Sequence, residues 1–182
     1  MKAQSKVAVL TAVFAVVALA ATRVTRSSLA GLEKSFDRRV ERDVLEGDPF
    51  LLLGMTRGVY VEGFGAVYSA EVSLAAPPGI SPFYQERTKA DWQRVRQKQM
   101  QRLPLLREAM KQAILESSSW LEAMPASENV VLAVTLAHHP SEDISGLPAQ
   151  IVMLAQKLNL MEVQSGKRDR AALNSVIKVQ EF

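Results

Sequence analysis

Two runs of β-forming residues joined by a glycine-containing turn commit the middle of this chain to a sheet. Val59-Tyr60-Val61-Glu62 and Ala66-Val67-Tyr68-Ser69-Ala70-Glu71-Val72-Ser73-Leu74 are aromatic, β-branched or alternating, and Gly63-Phe64-Gly65 lies between them. That pattern predicts a hairpin. Side chains alternate across a strand, so Ala66, Tyr68, Ala70, Val72 and Leu74 share one face, with Val67, Ser69, Glu71 and Ser73 on the other. One face is expected to be buried and the other at least half wet.

The flanking segments supply helices and further strands. In residues 27–43, Leu29, Leu32, Phe36 and Val40, with Val44 just beyond, recur at three- and four-residue steps, the mark of an amphipathic helix. Its apolar seam suits packing on the domain, and equally a short stalk or self-association next to a membrane. Gly47-Asp48-Pro49 reads as a turn, and Pro77-Pro78-Gly79 with Ser81-Pro82 as a stiff loop. Thr88 and Asp91 form a capping pair before a helical stripe from Trp92 to Leu121, with a kink or break expected at Pro104. Residues 129–137 are apolar on both sides, as in a central strand. Residues 148–158 read as a helix with Ile151, Leu154, Ala155 and Leu158 inward, and 175–182 as a terminal strand. The order hairpin–helix–strand–helix–strand predicts an α+β fold. It would have two layers, an about four-stranded sheet and helices mainly on one face. On this reading residues 48–182 form that single domain, 22–47 an amphipathic helix or linker, and 1–21 an N-terminal signal or anchor helix.

Composition removes several chemistries. With 182 residues, 48% hydrophobic and 23% charged, the chain has the make-up of a globular protein. It has no cysteine, so disulfides, thiolate metal sites, Fe–S clusters and cysteine nucleophiles are excluded. Two histidines make a multi-histidine metal centre unexpected, and no cofactor is expected either. The net charge of +3 comes from 22 basic and 19 acidic residues, and setting aside Lys2 and Lys6 leaves 20 against 19. A body this close to neutral is not expected to bind nucleic acid.

Lys2 and Lys6 precede residues 7–21, fifteen positions without a charge in which Thr11 is the only polar side chain. A basic start and a short apolar run are the n- and h-regions of a secretory signal. The run falls short of the roughly 20 residues that comfortably cross a bilayer. Ala18-Leu19-Ala20 and Ser28-Leu29-Ala30 each suit a signal peptidase, whereas Arg23 and Arg26 favour retention as an anchor. The chain is expected to be exported, either periplasmic or anchored to the inner membrane by its N-terminus.

Four groupings are candidates for chemistry or contact. His138 and His139 lie with Ser141, Glu142, Asp143 and Ser145 where a central strand leaves the sheet, a common place for sites in open α/β sheets. Adjacent strand residues point to opposite faces, so the two histidines are not expected to share a metal. Glu62 and Glu71 offer a carboxylate pair for acid–base work. Arg87, Arg94, Lys98 and Arg102, with Lys89 and Arg96 nearby, form a basic helix face read as solvated. Arg57, Tyr60, Phe64 and Tyr68 are the residues of the hairpin suited to a partner surface, and the 138–146 loop is a further candidate. Gly63-x-Gly65 is no dinucleotide fingerprint, because the third glycine is missing and a strand follows.

The segments Asp48-Pro49-Phe50, Thr56 through Tyr68, Glu71-Val72, Ser145-Gly146-Leu147-Pro148 and Val179-Gln180-Glu181-Phe182 resemble a family of bacterial exported proteins to which no activity is attached. The resemblance implies an envelope location and carries over no catalytic residue. The functional expectation is an exported envelope protein acting as a binding or assembly module with an unknown envelope partner or ligand. The alternative is an envelope hydrolase or acid–base enzyme.

Overall fold

The structure, a computed structural model, describes residues 23–47, 51–76 and 88–182. The apolar run 7–21, Asp48-Pro49 and the proline-rich loop lie outside them. Helix α1 (Arg26–Arg39) continues into a π-helical turn (Val40–Val44), followed by strands β1 (Arg57–Val61) and β2 (Gly65–Val72). Helix α2 (Lys89–Ser117) leads to β3 (Asn129–Leu136) and β4 (Gln150–Gln156). Helix α3 (Lys157–Gln164), the short α4 (Leu173–Val176) and β5 (Lys178–Glu181) complete the chain. This is an α+β protein whose five-stranded mixed sheet has strand order β1-β2-β3-β4-β5. Among the described strands only β2 and β3 are parallel, and α2 lies in the crossover that a parallel pair requires.

The sheet has one strand more than expected, because residues 150–156 are β4 and the helix begins only at Lys157. Ile151, Met153 and Ala155 are buried at strand period while Val152 and Leu154 are half-buried. A segment apolar on both faces fits helix and strand alike, and the unfilled edge of β3 decides for strand. Pro104 does not break α2, which runs continuously over 29 residues. Pro104 and Met100 both lie on the exposed side, so the Met100 carbonyl that loses its helical donor faces water. The helix stops at Ser117, short of Leu121.

The hairpin register pairs Val61 with Gly65 and Arg57 with Ser69. Rows of buried side chains then cross the sheet, Tyr68–Leu132–Met153 and Ala70–Val134–Ile151 among them. Leu29, Leu32, Phe36, Val40 and Val44 of the first helix belong to the same core. Their three- and four-residue spacing is what makes the helix amphipathic, and Thr25 caps its first turn by accepting from the Ser28 N–H.

Helix α1 also closes the outer edge of β1. A Glu33 oxygen accepts from the Gly58 N–H at 2.6 Å, and Asp37 accepts from the Thr56 N–H and hydroxyl. An otherwise unpaired strand edge is thereby protected. Burial alone would raise the Glu33 pKa; the Arg26 hydrogen bonds, the Gly58 N–H and the charges of Arg26 and Arg57 outweigh it and hold the carboxyl below its ordinary 4.5. A carboxyl depressed in the folded state contributes stability above the unfolded value and loses it as pH falls through the folded one. Glu33→Gln is therefore expected to cost about 1–3 kcal/mol at pH 7. Urea unfolding at pH 7 and pH 3 should show the gap to wild type shrinking in acid.

Candidate functional site

The two carboxylates of the hairpin do not meet. Glu62 sits at the hairpin tip beyond β1, whereas Glu71 lies near the other end of β2, opposite Thr135. Six residues of extended chain separate Gly65 from Glu71, about 20 Å. Glu62 instead lines a concavity of about 930 Å³ together with Arg23, Tyr60, Gly63, Pro125 and Glu128. Glu128 is only 6% exposed. One of its oxygens accepts from the Tyr60 hydroxyl at 3.2 Å and the Gly63 N–H at 3.0 Å, and the other is buried without a hydrogen-bond partner. Glu128 thus ties the hairpin tip to the start of β3. Burial first, then the hydrogen bond to Glu128, raises the Tyr60 pKa. Sequence reading passed over Glu128, whose partners lie more than 60 residues away.

At the opposite end of the sheet the histidines diverge. His139 stacks on Trp92 with ring centroids 5.2 Å apart. His138 turns inward, its Nδ1 3.5 Å from a Glu142 oxygen that also accepts from the fully buried Gln99. Among the described residues neither ring nitrogen of His138 finds a hydrogen-bond partner. Asp143 accepts from the Ser145 hydroxyl and N–H, which lower its pKa, and pairs with Arg96 at 2.9 Å. Arg96 also donates to the Asp143 and Ser145 carbonyls, so this aspartate serves the docking of its own loop on α2. Among the described residues no group of three or more His, Asp or Glu side chains is placed to hold a metal ion.

The basic face of α2 is largely committed to holding the fold. Arg94 pairs with Asp91 and Lys98 with Glu46. Arg102 is buried, donating to the Leu74 and Leu45 carbonyls and to Glu46. The hairpin residues chosen for a partner surface divide. Tyr68 is fully buried in the core and presents nothing to a partner, and burial pushes its phenol pKa up. Tyr60 is half-buried, whereas Arg57 and Phe64 are exposed.

The face formed by the sheet residues that alternate with the core rows is a second apolar feature, in which Val59 is exposed, Val67 and Leu154 are half-buried and Val131 is 8% exposed. Register places Val59, Val67, Val131 and Leu154 in one row across four strands, with Lys178 at its β5 end. Arg57, Ser69, Ala133 and Val152 form the next row. Val59 is 58% exposed, and Leu53, Met55, Val61 and Phe64 are also exposed large hydrophobics from the same stretch of chain. Leu53 and Met55 border a 300 Å³ notch on this face with Arg57, Ser69, Glu71 and Thr135.

Comparison with family models, curated proteins and solved structures returns no match. No described helix is long and apolar enough to cross a membrane.

Proposed function

We propose that this chain is an exported cell-envelope protein that works as a binding or assembly module. In this reading it is a two-layer domain, with the helices on one face of the sheet and the other face left for a partner. The observation that carries it is the dispersal of the titratable candidates. An acid–base enzyme needs convergent groups around one concavity. Of the candidates only Glu62 lines the concavity, where Glu128 beside it is tied to Tyr60 and Gly63. Glu71 and His138 lie at the other end of the sheet, and Asp143 is engaged with Ser145 and Arg96. The envelope assignment rests on the charge-free run 7–21 behind Lys2 and Lys6, with Arg23 and Arg26 favouring retention at the inner membrane.

A reporter enzyme active only outside the cytosol, fused behind residue 30, tests the export half. Activity is expected, and a fusion confined to the cytosol would refute it. A photo-crosslinking residue in place of Val67, in the full chain within its envelope, tests the other half. A discrete adduct is expected; an unchanged chain after irradiation argues against a docking face.

A further inference from the structure

We propose that the partner on the open sheet face is a second copy of this chain, bound face to face about a two-fold axis; the proposal rests on the module reading above. The face has an apolar centre, Val59–Val67–Val131–Leu154 with Ala133 and Val152, and a charged corner. At that corner Arg57 is opposite Ser69, and Glu71 lies two residues further along β2 on the same side. Both are exposed, and among the described residues neither forms an ion pair.

An isologous contact repeats every interaction twice, so residue i of one copy meets residue j of the other and the reverse. Arg57 of each copy can then meet Glu71 of the other. The size also fits. Strands of 5, 8, 8, 7 and 4 residues, at about 3.3 Å per residue and about 4.8 Å apart, give a face of about 500 Å² per copy, so a pair covers about 1,000 Å², the area a biological interface needs to clear. Leu53 and Met55, the latter 68% exposed, extend the apolar surface beyond the strands at the β1 side.

The absence of cysteine makes the test direct, because any introduced thiol is unique. Ser69→Cys and Ala133→Cys on the open face, and Gln97→Cys on the exposed side of α2 as control, are placed in the full chain and treated in intact envelopes with a short bis-maleimide. The face variants are expected to give an adduct of twice the 20.0 kDa chain, and the control to remain single. Arg57→Glu or Glu71→Arg in the Ser69→Cys background should cut the adduct about fivefold or more, and the double reversal should restore it. An equal yield from Gln97→Cys would reduce the adduct to random collision and overturn the proposal. So would a double reversal that fails to restore. An adduct of another mass overturns the second copy as partner while leaving the module reading standing. Face thiols that stay monomeric and label fully with a single maleimide remove both.

Discussion

Gly65→Ala is expected to unfold this protein or cost it about 4 kcal/mol or more, in the range reserved for broken backbone geometry. Gly65 has φ +131°, which L side chains avoid. An added Cβ would press into the Asn129 carbonyl oxygen and lie 2.6 Å from its backbone nitrogen. Gly65 and Asn129 form the first rung of the parallel β2–β3 ladder, and the Asn129 N–H donates to the adjoining Phe64 carbonyl at 2.9 Å. Neither side of the clash is a movable side-chain end, so the strand pair must open. Gly63 supplies the contrast. Its φ is +80°, but a Cβ there meets nothing within 4 Å. Gly63→Ala should cost only the conformational strain, about 1–2 kcal/mol. Denaturant unfolding of the two variants side by side is decisive, and equal losses would contradict this account.

Lys157→Met is the second large effect, expected at about 3–5 kcal/mol. Lys157 is 4% exposed, and its ammonium donates to the carbonyls of Leu121, Met124 and Glu122 at 2.7, 2.6 and 3.1 Å. Its own N–H donates to the Glu128 carbonyl. One side chain therefore organises the turns that connect α2 to β3. Burial lowers its pKa, with the charges of Glu122 and Glu128 opposing that shift. A methionine of similar length fills the space and leaves those carbonyls without their donor. At roughly 2–4 °C per kcal/mol for a chain of this size, the melting temperature should fall by about 10 °C. Lys167→Met, at an exposed position, should move it by a degree or two at most. Thermal unfolding followed by circular dichroism separates the two, and comparable melting temperatures would show that the cage contributes little.

Both residues show where sequence reading stops. Gly63 and Gly65 look alike in the chain, two glycines of one turn, and only the approach of Asn129 sets them apart. Arg102 reads as part of a solvated helix face and Lys157 carries no sequence signal, because their acceptors include backbone carbonyls, a group every residue carries. Arg102 reaches Leu74 and Leu45 across 28 and 57 positions. The same holds for Tyr68: its alternation placed it on the face expected to be buried, while its phenol also made it a contact candidate. The sheet settles the matter by stacking Leu132 and Met153 beside it.

Local patterns were legible where the physics is local. The Thr88–Asp91 cap joins neighbours three residues apart, the α1 stripe follows from helix period, and the hairpin follows from its turn. The sequence by itself determined these, the two faces of β2 and the chemistry denied by the missing cysteine. Tertiary structure alone decided that 150–156 is a strand, that Glu62 and Glu71 lie at opposite ends of the sheet, and that a row of aliphatic side chains crosses four strands. The reason is that burial and pairing depend on which distant segment arrives alongside, and residues apolar on both faces accept whichever partner the sheet supplies.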